Sequence, residues 1–141
     1  MFLAWALFKH STKYPKNRRT MPIKSPTVFI DAAKIIIKRQ LEDPTSREFK
    51  ADWMAHFGTM PDQCVWIWNN LDPCKTIGKA AQWCHLLWAL YFLRVYPTEK
   101  TGRSAVAHSS GTVVEKTWRK WTQDFVEAIS YLESRVVSLT V

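Results

Sequence analysis

Cysteine is scarce in this chain, acid is missing from its first thirty residues, and no stretch alternates long enough to demand a sheet. Each absence excludes something. Cys64, Cys74 and Cys84 are an odd set without a CxxC pair, which argues against a disulfide framework and for a reducing interior. His10, His56, His85 and His108 do not fall at zinc-finger spacing, so no metal or other cofactor is expected and buried thiols are the default. No P-loop, no serpentine Gly-x-Ser-x-Gly elbow and no HExxH pair is present. The apolar start, Met1 to Phe8, is followed rather than preceded by basic residues, the reverse of a secretory signal. Ala80 to Leu93 has no formal charge, but it is shorter than a membrane span and contains Gln82 and His85. No membrane association is expected.

What the chain does have is aromatic mass and unevenly placed positive charge. Its 141 residues are 47% hydrophobic and include 8 Trp, enough for one domain with a real core. The net charge is +8. Lys9, Lys13, Lys16, Arg18, Arg19 and Lys24 stand in residues 1–30 without an acid, while residues 31–93 balance. A second excess runs from Arg94 to Lys120, where Arg94, Lys100, Arg103, Lys116, Arg119 and Lys120 face only Glu99 and Glu115. Clustered cations suit a polyanion. The plainer alternative is a solvated tail and an ordinary solvated helix face. Lys16-Asn17-Arg18-Arg19 has the composition of a nuclear-import run, which sets the expected location in the nucleus.

The periodicity predicts an all-α protein: a compact bundle of about five to six helices over 25–141, behind a basic flexible tail at 1–24. Ser25-Pro26 opens the first helix as cap and first helical residue. Phe29, Ala32, Ala33, Ile36, Ile37 and Leu41 follow at helical spacing, with Asp43-Pro44 as the stop. Thr45 and Glu48 read as a capping box before Phe49, Trp53 and Phe57, and Gly58 closes that helix. A third helix begins over Thr59 to Asp62. The fourth, about Ala80 to Val95, is apolar nearly all round and belongs in the middle; Pro97 stops it.

From Tyr96 to Leu132 the pattern is a short helix, a Ser109-Ser110-Gly111 turn and a long helix. Thr112 and Glu115 are spaced as its capping box, and 112–132 as its length. Val114, Trp118, Trp121, Phe125, Ile129 and Leu132 share one face; Lys116, Lys120 and Gln123 fall opposite, with Arg119 beside them. A helix pinned by aromatics and offering basic and amide groups outward is what a DNA-reading helix needs. Lys116, Arg119 and Lys120 are the expected phosphate or base contacts, Lys100 and Arg103 backbone anchors, and Arg18 and Arg19 part of a clamping tail. Gln123 suits either adenine readout or water, with water preferred. Trp118, Trp121, Trp53, Trp66, Trp83 and Trp88 are assigned to the core rather than to base stacking, and His85 is read as a helix-packing or capped histidine rather than a ligand.

Three blocks resemble the region before the catalytic domain in PIF/Harbinger-like eukaryotic DDE-type transposases. They are His56-Phe57-Gly58-Thr59 with Pro61 and Trp68-Asn69; His85 to Tyr96, with the specific HLLWALYFL run, and Thr98-Glu99; and Glu115 to Trp121 with Phe125 to Ile129. Together they cover roughly residues 45–137. The resemblance implies a helix-turn-helix-containing segment that binds a transposon end, with the DDE metal ligands downstream. In that group the helix before the turn is more apolar, whereas Glu99 to Ser104 is polar and holds the helix-weakening Gly102. The acids here are scattered on helix exteriors and caps, with Asp62 and Glu115 at helix starts, not paired for two-metal strand cleavage. The expectation is a truncated or stand-alone non-enzymatic module binding double-stranded DNA. The alternatives are a module that binds another transposase chain or an accessory protein, and a remnant without activity, which would lack cooperative unfolding.

Overall fold

Helix α1 (Thr27–Ile37) starts one residue later than Ser25 as cap and Pro26 as first helical residue would place it: Pro26 is the cap, its carbonyl accepting from Phe29 and Ile30, and the Thr27 amide donates to Ser25 Oγ at 3.3 Å. The computed structural model describes residues 23–38, 43–71, 81–107 and 111–140, the last six by backbone alone. Five further helices follow among them: α2 (Arg47–Phe57), α3 (Pro61–Asn70), α4 (Trp83–Val95), α5 (Glu99–Ala105) and α6 (Glu115–Thr140). No strand occurs among the described residues, and the protein is an all-α bundle.

The centre is α4. Its sequence offers no polar face between His85 and Tyr91, and every residue of that run is buried. It packs against α1, α2, α3 and α6, so an all-apolar helix finds apolar neighbours on each side. Around it, Phe49 stacks on Trp53 along α2 with ring centroids 5.8 Å apart, and Phe57 meets Trp53 tilted at 4.9 Å. Trp68 of α3 lies 6.0 Å from Phe125 of α6, the planes 17° apart. The aromatic stripes expected at helical spacing therefore meet as one core. Two of the expected members do not join it: Trp83 is 39% and Val114 65% exposed. Trp83 is the first residue of α4, at the rim. Val114 precedes α6, so the helical wheel that placed it inside does not apply.

Several boundaries differ from expectation, each for a local reason. The first helix ends at Ile37, ahead of Asp43-Pro44, because Lys38 turns left-handed (φ 59°) and its amide closes on the Lys34 carbonyl. Its Nζ then donates to the carbonyls of Ile35 and Ala107, both at 3.2 Å. Leu41 lies outside the described residues. The cap of α2 is Ser46, whose Oγ accepts from the Phe49 amide at 3.1 Å. Thr45 cannot cap there, since its amide and hydroxyl both donate to Asp43 Oδ1, and Glu48 stays exposed. Gly58 ends α2 as expected, with φ 67°, a conformation that only glycine adopts without cost. The third helix begins at Pro61; the Met60 amide, just before it, donates to Gln63 Oε1 at 2.8 Å.

The largest difference concerns the start of α6. Thr112 is not its cap: the helix begins at Glu115, and residues 112–114 run alongside α5. The Val113 amide donates to the Arg103 carbonyl at 3.1 Å, and Arg103 Nε donates to the Val113 carbonyl at 2.7 Å. These two bonds tie the chain to α5 at the position where the box would have formed. Residues 106–114 thus separate α5 from α6, longer than the three or four residues of a standard helix-turn-helix. Ser109 and Ser110 lie outside the described residues. At the other end, Ile23, placed in the tail by sequence, exchanges two hydrogen bonds with the Asn69 side chain at 3.1 and 2.8 Å.

Candidate nucleic-acid interface

The outer face of α6 is set by its inner one. Trp118, Trp121, Phe125, Ala128, Ile129 and Leu132 are buried, and the hydroxyl of Thr122 donates to the Trp118 carbonyl at 2.6 Å instead of to solvent. With that stripe fixed, Lys116, Arg119, Lys120 and Gln123 are all exposed. Lys100 is exposed on α5, while Arg103 is only partly so. Arg18 and Arg19 lie outside the described residues.

Exposure is not the same as availability. Arg119 Nε is 3.0 Å from Glu99 Oε2, and its Nη2 is 2.7 Å from Glu115 Oε1. The hydrogen bond that Arg119 donates to Glu99, with the charge of Glu115 added, pushes the Arg119 pKa upward and keeps it charged. Arg103 reaches Glu99 Oε1 at 3.9 Å while its Nε is spent on the Val113 carbonyl. It therefore serves as the strut of the α5–α6 connection rather than as a free anchor. Lys120 sits 3.1 Å from Asp124 and 4.8 Å over the Trp121 ring, a cation held by a carboxylate and a π face. Among the described residues, no acidic side chain pairs with Lys100 or Lys116. The sequence thus identified the exposed cations correctly but not their partners, because Glu99 and Arg119 are 20 positions apart.

Behind this face His85 is sandwiched in the core. Its ring lies 4.1 Å from Trp121 with planes 6° apart, and 4.8 Å edge-on from Trp88. Nδ1 accepts from the Gln82 amide at 3.0 Å, the reach-back of a capping residue three positions into the helix. Burial, and secondarily the charge of Lys120, lowers its pKa from 6.5 to about 4. It is a neutral packing histidine, as its sequence context suggested, and it also caps the start of α4, which the sequence reading did not assign. Cys64 is fully buried and its thiol is pushed up to about 12 by that burial, which makes it inert.

Gln123 lines a groove between α4 and α6, with a volume of about 430 Å³, together with Phe92, Thr122, Val126, Glu127 and Ser130. No cluster of three or more His, Cys, Asp or Glu able to hold a metal occurs among the described residues, and none of their helices is long and apolar enough to cross a membrane. No family model, curated protein or solved structure matches the chain.

Proposed function

We propose that this chain is a DNA-binding module of transposase origin that acts in the nucleus, gripping the phosphates of duplex DNA through α6, the adjoining α5 and the basic tail. The observation that carries this reading is the row of exposed cations at Lys116, Arg119 and Lys120, with Lys100 on the neighbouring helix. Buried Trp118 and Trp121 hold the helix that presents them, and a rigid scaffold of this kind keeps the groups at fixed spacing. The transposase origin rests on the three resembling blocks, and no catalytic role is assigned to the module.

The pairing described above ranks the contacts. Lys100 and Lys116 engage phosphate without breaking anything, so they supply the first contacts. Lys120 and Arg119 follow by exchanging a carboxylate for a phosphate. A fluorescently labelled duplex titrated with the full chain across about 50–200 mM salt gives the test, because each phosphate contact contributes about 0.9 to the slope of log affinity against log salt. In the Lys100→Glu/Lys116→Glu variant, affinity falls tenfold or more and the slope flattens by about 1.8. An unchanged slope would remove α5 and α6 from the interface and leave the tail as a generic polycation.

A second reading, contact with another transposase chain or an accessory protein, is favoured by one observation. The groove is lined by half-buried Phe92 and Val126, and the Phe92 ring lies 6.1 Å from that of Tyr96, which is 73% exposed. Sedimentation at increasing concentration separates the two: under this reading a dimer forms without DNA and the charge reversal leaves it intact.

A further inference from the structure

The ion pairs joining α5 to α6 alternate in sign: Glu115, Arg119, Glu99, Arg103. Glu115 to Arg119 is one turn of the same helix and follows from spacing alone. Glu99 is different. It comes from another helix, and it uses one carboxylate oxygen on Arg119 and the other toward Arg103. Its position at the first residue of α5 places its negative charge at the edge of the cationic face that the DNA reading requires.

We propose that Glu99 is an autoinhibitory competitor for phosphate: it occupies the guanidinium edge of Arg119 that a DNA phosphate takes, and binding displaces it. This deepens, and rests on, the DNA-binding reading. Displacement is feasible because the pair is wet, with Arg119 59% and Glu99 35% exposed, and exposed pairs of this kind hold weakly. A phosphate on a duplex also brings counter-ion release, which a lone carboxylate does not. Displacement is not free, since the freed carboxylate then stands beside the phosphate it yielded to. Arg119 therefore joins the interface only when Lys100 and Lys116 have already fixed a polyanion nearby. Sparse anions leave the latch closed, and duplex DNA opens it.

The test is Glu99→Gln in the full chain, which keeps the shape and removes the charge. At about 100 mM salt, labelled duplex binds Glu99→Gln about five- to tenfold more tightly, while the salt slope shifts by less than the roughly 0.9 of one phosphate contact, because Arg119 reaches phosphate in both complexes. Removing a negative charge anywhere raises affinity a little, so Glu48→Gln, at an exposed position of α2, is the charge-matched control, expected to change affinity less than about twofold. Adding Arg119→Gln to Glu99→Gln abolishes the gain. If Glu99→Gln behaves like Glu48→Gln, or if the gain survives loss of Arg119, the latch is overturned. In that case salt-dependent binding by the unmodified chain, weakened by Lys100→Glu/Lys116→Glu, leaves the DNA reading standing. If neither the unmodified chain nor Glu99→Gln binds duplex at the lowest salt, both fail together. Thermal melting of Glu99→Gln within a few degrees of the unmodified chain excludes an effect through misfolding, and a change in affinity accompanied by a collapsed melt counts against the proposal.

Discussion

Gly102→Ala lowers the melting temperature of this protein, although helix propensity alone says it should rise. In an open helix the exchange favours the helix by about 1 kcal/mol. Here the added Cβ would lie 2.5 Å from Trp118 Cζ2 and 2.8 Å from Cη2, distances that demand movement. The indole cannot easily give way: it is 3% exposed and its ring is 5.9 Å from that of Trp88. Contacts this close put the overpacking cost in the upper part of the usual range, about 2–3 kcal/mol, so the steric term wins and the net loss is about 1–2 kcal/mol. For a domain of this size that is roughly 3–10 °C, and Gly102→Val loses more. The diagnostic is a double-mutant cycle. In a Trp118→Leu background the space opens, Gly102→Ala becomes neutral or stabilising, and the coupling is about 2 kcal/mol. A higher melting temperature for Gly102→Ala in the unmodified background would mean that α5 does not sit against Trp118 as described. The position matters to function because α5 carries Lys100 and Glu99, and its close approach to α6 is what brings Glu99 to Arg119.

Gly102 also marks the limit of what the sequence reveals. Read along the chain, it is a weak point in a polar helix. Its role appears only with the distant residue that packs on it. The same holds for Glu99, which reads as an ordinary first-turn acid until the fold sets it against Arg119. Periodic features fared better, because a helix needs only its own spacing to select an inner face. Phe29, Ala33, Ile36, Phe125, Ile129 and Leu132 are buried as their positions imply, and Pro97 and Gly58 end helices where they stand. Caps were harder. Thr45 and Ser46 are adjacent candidates, and the choice falls to Ser46 because Asp43 has already claimed Thr45. Thr112 lost its role to the two backbone-directed bonds between Arg103 and Val113. The cations of the candidate interface were legible as exposed positions, since any residue opposite Trp118 and Trp121 must face water. Which of them carry uncompensated charge depends on contacts between helices, and no pattern within one helix records those.

Acidification below about pH 6.5 weakens the fold well before the carboxylates titrate, and His85 is the reason. In the unfolded chain this imidazole takes up its proton near 6.5, whereas in the folded chain it resists until about 4. Its lowered pKa means that the unfolded state binds more protons throughout that window, so stability rises with pH there and levels off above it. The sign follows from the geometry too. Protonation would place a charge between Trp121 and Trp88 and turn Nδ1, the acceptor for the Gln82 amide, into a second donor facing a donor. Unscreened, such a linkage would reach about 3 kcal/mol. The site lies near the surface beside exposed Gln82 and Trp83, and water reduces the expected loss to about 1–2 kcal/mol. Chemical denaturation at about pH 7 and pH 4.5 reads it directly. His85→Gln supplies the matched comparison, because an amide three residues into a helix can still accept from the cap amide but does not titrate. Its stability is expected to be flat over the same window, though lower at neutral pH for want of the stacked ring. Equal pH slopes in the two proteins would assign the acid sensitivity elsewhere. The prediction bears on the interface as well. Lys120 contributes to holding His85 neutral, so a phosphate seated on Lys120 eases protonation of the ring beneath it. Duplex binding is then accompanied by a small rise in the His85 pKa, measurable by NMR titration of its ring protons. An unmoved His85 pKa in the complex would place Lys120 outside the phosphate contacts.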